Sequence, residues 1–167
     1  MAWRRWLRRG LGARSSPPSA SHIRQDVLRY EIQPQAYFEV FWKVLPIGRG
    51  PAVSFFVHGE EVLKFDCFGA GRGHYHVNER QWSRRAPGVV QRLYLPETTV
   101  EAQIERTLFE LTTNLAVYCR QNDDPRIRQF VIDREHLQDA VRRMRATMLD
   151  YMRRVPAIDR PPNATKD

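Results

Sequence analysis

The chain has 167 residues, 42% hydrophobic and 28% charged, a balance that suits one globular domain and excludes a collagen-like, low-complexity or wholly disordered polypeptide. Apolar runs stay near five residues, against the ~20 that a membrane-spanning helix needs, so no transmembrane segment is predicted. The formal net charge of +8 sits at one end: residues 1–30 hold seven arginines and one acid, while the remainder holds 20 basic and 18 acidic side chains.

A near-neutral body gives little electrostatic reason to bind nucleic acid, which stays a secondary expectation behind a protein partner or a second copy of the chain. Among the 27 basic residues only Lys43, Lys64 and Lys166 are lysine, an excess of arginine that reads first as a trace of GC-rich coding DNA. Cys67 and Cys119 are too few for a disulfide framework. Both lie in apolar patterns and are expected as buried thiols of a reducing, cytoplasmic compartment, with a single Cys67–Cys119 bridge as the alternative.

In chain order, residues 1–24 are predicted to be a disordered basic tail. Trp3, Trp6, Leu7 and Leu11 could share one helical face opposite arginines, as in organelle transit peptides and in segments that lie on anionic membranes. Gly10, Gly12 and Pro17-Pro18 oppose a long stable helix, so organelle targeting through residues 1–22 is the alternative. A single domain is expected over 25–156, with a disordered C-terminal tail over 157–167.

From Ala36 to Leu45 the aromatic and β-branched density predicts a strand. Tyr37, Glu39, Phe41 and Lys43 fall on one face; Phe38, Val40, Trp42 and Val44 fall on the other, which should meet the core. A turn through Pro46–Pro51 leads to a strand near Ala52–His58, and a tight turn at His58-Gly59-Glu60 leads to another over Glu61–Phe68. The glycine-rich loop Gly69–Gly73 is expected as a hairpin connection; it lacks the Gly-Lys-Ser/Thr ending of a phosphate loop and no helix follows it. A short strand His74–Val77, an irregular polar stretch over 78–90 and a last strand from Val89 to Leu95 complete the sheet.

Thr98 and Glu101 have the spacing of a capping box. Val100, Ile104, Leu108, Leu111, Leu115 and Tyr118 then form one helical stripe ended by Asn122–Pro125. Asp133 is placed to cap a final helix with Leu137, Val141, Met144 and Met148 inside, terminated by Pro156. Strands first and helices last predict an α+β fold: a four- to five-stranded antiparallel β-meander packed by two C-terminal α-helices. The helix opening at Thr98 is expected to roof the apolar face.

The one dense polar constellation is His58, Asp66, Cys67, His74 and His76. His74 and His76, two apart on a strand, share a face and are expected to point together toward solvent. Three readings compete. The pair, with His58 or another side chain as third ligand, could hold a metal such as zinc. Two imidazoles with Asp66 could act as acid and base in metal-independent RNA cleavage, with Arg72, Arg84 or Arg85 contacting phosphate. The third reading is structural: histidines on a wet sheet face, and Asp66 capping the glycine loop. On the final helix, Met144, Met148 and Met152 beside arginines read as core packing with a solvated face rather than a partner-binding surface.

The stretch Val62–Phe68 followed by Gly71–Val77 resembles an uncharacterised small bacterial domain family with a Phe-Asp-Cys-Phe-Gly and His-Tyr-His pattern before a Thr-Val-Glu helix. More remotely it is similar to TumE-type toxins of toxin–antitoxin modules, which pair an antiparallel sheet with an aromatic-Asp motif, a His-x-His and a closing helix. That resemblance spans about residues 55–115 and implies roles for Asp66, His74 and His76; Cys67 stands where those toxins commonly carry Asn. The expectation drawn from all of this is a non-catalytic interaction module, toxin–antitoxin-like and bacterial, needing no cofactor. An RNA-cleaving enzyme and a metal-binding regulator are its alternatives.

Overall fold

The computed structural model describes residues 23–158. Six strands run as β1 Ile23–Gln33, β2 Ala36–Leu45, β3 Gly48–Val57, β4 Glu60–Asp66, β5 His74–Val77 and β6 Leu93–Tyr94. Five helices accompany them: α1 Glu79–Arg85 between β5 and β6, then α2 Val100–Thr113, α3 Leu115–Arg120, α4 Pro125–Arg128 and α5 Arg134–Ile158. The strands form one antiparallel sheet in sequential order, so the fold is α+β with a meander, as expected. The arginine-rich segment 1–22 and residues after 158 lie outside the described residues.

The turns follow from local chemistry. His58 and Gly59 both take positive φ (51° and 78°), the pair of left-handed residues that a two-residue hairpin needs to match strand twist. Gly50 lies where β3 meets the end of β4: a Cβ there would sit 2.1 Å from the Cys67 carbonyl oxygen, so only glycine lets the two backbones close. The Cys67 amide donates to Pro51 O at 3.0 Å and seals that junction.

Helices α2, α3 and α5 lie on one face of the sheet. Phe38, Val40, Trp42, Val53, Phe55, Leu63 and Phe65 supply the sheet side of the core, and Ile104, Leu111, Leu115, Met144, Met148 and Tyr151 the helix side. Helix α5 crosses β1, β2 and β3, with α2 packed beside it and α3 against β4. The Tyr151 hydroxyl, buried among these, donates to Asp26 O of β1 and lies 3.3 Å from Val40 O of β2, tying α5 to the first two strands. Among the described residues no helix is long and apolar enough to cross a membrane.

Several details differ from the sequence expectation. The sheet has six strands, not four or five, because Ile23–Gln33 pairs with β2 although Arg24, Asp26, Arg29 and Glu31 dilute its apolar pattern. The strand expected over 89–95 shrinks to two residues, and the stretch after Asn78 contains α1. The apolar stripe after Thr98 is broken at Asn114 into α2 and α3, and its cap is Thr99, whose side chain accepts from the Ala102 amide at 3.2 Å. The roof over β1–β3 is α5 rather than the Thr98 helix, because α5 is the element long enough to span three strands. Asp133 does cap α5, accepting from the His136 amide at 3.0 Å, but α5 runs on through Pro156. Cys67 and Cys119 are buried and free; no bridge joins them.

Candidate metal centre

Strand register decides which polar residues meet. Ala52 pairs with Asp66 and Asp66 with His74, while Ser54 pairs with Lys64 and Lys64 with His76. Alternation then puts Asp66, Lys64, His74 and His76 on the face away from the helices, together with Glu39 and Lys43 of β2. Cys67, one residue on, points to the opposite face, where its sulfur meets Thr107 Oγ1 at 3.4 Å.

The two histidines share a face, as expected, yet that face is not wet at this point. Asp66 is 0%, His74 1% and His76 4% exposed. The sheet end closes over them: Phe68 packs edge-on against the His74 ring at 5.8 Å, Tyr94 lies 6.0 Å from it, and His74 and His76 stand 5.0 Å apart. The glycine loop delivers His74 to this place. Gln103 accepts from the Gly69 amide at 2.8 Å and donates to Glu97 O at 2.7 Å, so a helix side chain pins the loop. That is the part the sequence reading gave to Asp66.

Asp66 instead has three nitrogen neighbours. Lys43 Nζ reaches both carboxylate oxygens, at 2.9 and 2.7 Å. His74 Nε2 stands 3.3 Å from Oδ2, and His76 Nε2 3.8 Å from the same atom. One ligand-capable atom from each of Asp66, His74 and His76 lies within 4.8 Å of the other two.

The His74 imidazole is also oriented from behind, whereas His76 Nδ1 is buried without a hydrogen-bond partner. His74 Nδ1 lies 2.8 Å from Arg72 O, and His76 Nδ1 lies 3.4 Å from Glu79 Oε1. Burial holds the His74 pKa below its ordinary value, and burial, aided by Lys64, drives that of His76 to about 3. Both rings are therefore neutral near pH 7. A carbonyl can only accept, so His74 carries its proton on Nδ1, and its Nε2 lone pair faces a carboxylate.

Charge continues outward from this core. Lys64 bridges Glu79 at 2.5 Å and Glu61 at 3.3 Å, Glu61 accepts from Ser54 Oγ at 2.7 Å, and Arg24 reaches Glu39 and Glu61. Burial opposes the Lys64 ammonium, but Glu61 and Glu79 outweigh it and hold its pKa above the usual range. Burial lowers that of Lys43 despite the facing carboxylate. Among the described residues, Arg24, Lys43 and Lys64 thus interleave with Glu39, Glu61, Asp66 and Glu79 in one connected network.

The other residues singled out in the sequence lie elsewhere. His58 occupies the β3–β4 turn, about 20 Å along the hairpin from Asp66, with its ring edge-on to Phe130 at 5.4 Å. Arg85 pairs with Asp123 on the surface. Arg84 and the Arg72 side chain are exposed, and Arg72 contributes to the cluster only its carbonyl. Sequence reasoning missed Lys43, Lys64 and Glu79; the available signal was two of the three lysines of an arginine-rich chain on strands, and an acid three residues after His76. Compared with family models, with curated proteins and with solved structures, the chain matches none.

Proposed function

We propose that this protein is a non-catalytic metal-binding module that holds one divalent transition ion, zinc by ligand type, on Asp66, His74 and His76. The observation that carries the reading is the His74 ring: its Nδ1 is committed to Arg72 O at 2.8 Å, which leaves an Nε2 lone pair 3.3 Å from Asp66 Oδ2. Two acceptors facing each other in a dry interior repel; Lys43 Nζ, 2.7 Å from the same oxygen, offsets part of that repulsion, and a metal ion between them would remove the rest.

The outer contacts support the same reading. A carbonyl behind the His74 imidazole fixes its tautomer and orientation, as such partners do for metal-bound histidines, while His76 Nδ1 has only Glu79 Oε1 near it, at 3.4 Å and without a hydrogen bond. Two imidazoles and a carboxylate suit zinc or ferrous iron, and Zn–N and Zn–O bonds of about 2.0–2.2 Å would draw the three groups inward.

Burial weighs against the RNA-cleaving alternative. A ribose phosphate has no approach to rings 1% and 4% exposed, and the neutral His74 imidazole, with its proton on Nδ1, has none to give a leaving oxygen at Nε2.

The test is metal analysis of the full chain, purified without a polyhistidine tag and without chelator. About one zinc per chain is expected, retained on gel filtration and lost in His74→Ala and His76→Ala. Iron in its place identifies the ion differently on the same ligands. Less than about 0.1 equivalents of any transition metal after incubation with excess zinc, with a melting temperature indifferent to zinc and chelator, refutes the proposal.

A further inference from the structure

A cavity among the helices shares no residue with the buried cluster. It is open, about 640 Å³ in volume, and lined by α3, by α4 with the loop that follows it, and by the start of α5. That volume falls within the range of small-molecule sites, ~300–1,000 Å³. Leu115, Phe130, Ile132 and Leu137 give it apolar walls, and Arg120, Arg128 and Arg134 line it as well; no Asp or Glu is among its lining residues.

Three of the nearby acids are already engaged. Asp123 pairs with Arg85, Asp124 with Arg126, and Asp133 with His136. Arg128 is held by the carbonyls of Asn122 at 3.0 Å and Asp123 at 2.7 Å. Arg120 and Arg134 are exposed and have no acidic partner among the described residues. The wall is fixed in advance: Gln33 of β1 donates to Val131 O at 3.0 Å and accepts from the Asp133 amide at 2.7 Å, clamping the loop between α4 and α5. Beside it, Val131 is left 81% exposed.

We propose that this cavity binds a small amphipathic organic oxyanion, a phosphate ester or carboxylate with a hydrocarbon or aromatic body. The oxyanion takes the Arg120 and Arg134 guanidiniums, whose planar forks suit two oxygens of one group. The apolar body covers the half-buried Phe130 and Ile132 and the exposed Val131 and removes their surface from water.

Isothermal titration of the full chain with phenyl phosphate, benzoate and inorganic phosphate tests this. Phenyl phosphate or benzoate should saturate one site per chain, with inorganic phosphate at least about tenfold weaker because it lacks the apolar body. Arg120→Gln and Arg134→Gln should each weaken that binding about tenfold at constant salt. Both side chains are exposed, so unchanged thermal melts would show these variants folded. Arg153→Gln, near the far end of α5, should bind as the parent does. The proposal is overturned by no saturation at millimolar probe, by inorganic phosphate binding as tightly as the organic probes, or by undiminished binding in both cavity variants. Tight binding of a single-stranded RNA oligonucleotide without saturation by either organic probe also overturns it.

Discussion

Lys43→Met should separate a buried ion pair kept for its own sake from one that stands beside a metal site. Lys43 Nζ contacts both oxygens of Asp66, and the two side chains are 4% and 0% exposed. Removing one partner of such a pair leaves an uncompensated charge in the interior, which costs roughly 3–5 kcal/mol. For a chain of this size that corresponds to a fall in melting temperature of about 10–15 °C, read by scanning calorimetry in chelator. Zinc changes the outcome. An ion on Oδ2 supplies the missing positive charge, and at a hundredfold excess over its dissociation constant it contributes ~2.7 kcal/mol. The variant should therefore recover most of its loss in zinc and show a larger zinc-dependent shift than the parent. Lys43→Met/Asp66→Leu, which removes both charges, should melt well above Lys43→Met in chelator and ignore zinc. A loss below about 1 kcal/mol in chelator refutes the electrostatic account of the pair, and a loss untouched by zinc refutes the metal account.

Three further outcomes follow from the geometry. Gly50→Ala should cost about 3 kcal/mol or more in urea unfolding, because its Cβ meets backbone at 2.1 Å, whereas Gly59→Ala, with open space but φ of 78°, should cost only about 1 kcal/mol. Burial pushes the Cys67 thiol up to about 12 and the Cys119 thiol to about 11, so Ellman's reagent at pH 8 should label neither within minutes in the native protein and both in urea; one fast-reacting native thiol contradicts their placement. In chelator, His76 binds no proton in the folded state until about pH 3 but binds one below about 6.5 when unfolded, so stability should fall as pH drops through that window. His76→Gln should flatten the slope of urea midpoint against pH between 6.5 and 4, and an unchanged slope refutes the assignment.

How much of this was legible depended on the range of the interaction. Period-two alternation in Ala36–Leu45 assigned Phe38, Val40 and Trp42 to the core and Lys43 to the other face, and both placements hold. The His74/His76 pair also shares a face as its spacing requires. Register is different: whether Asp66 sits opposite His74 depends on how the Gly69–Gly73 loop closes, and that closure is set by Gln103, more than thirty residues away. Burial was hidden for a similar reason. A histidine on a strand's polar face looks solvated until Phe68 and Tyr94 are seen to cover it. Strand β1 escaped notice because Arg24, Asp26 and Arg29 look like tail, yet Arg24 stacks 4.4 Å over Phe41 and bonds Glu39, so its charges are spent against the sheet.

The cost of this cluster is itself an argument about its use. Burying Lys43, Asp66 and two imidazoles forgoes the apolar packing that the same positions would give, and well-packed hydrophobic replacements of such groups are often neutral or stabilising by 1–4 kcal/mol. Fold stability alone therefore does not account for four ionisable groups at the closed end of the sheet, each aimed at one carboxylate oxygen or held from behind. The choice of lysine points the same way. In a chain with three lysines among 27 basic residues, the two among the described residues are Lys43 and Lys64, both in this network. A guanidinium at 43 would be broader and permanently charged; a compact ammonium whose pKa burial already lowers yields more readily to a second cation beside it. A protein that needed only to neutralise Asp66 would gain more from arginine, the cation it uses almost everywhere else.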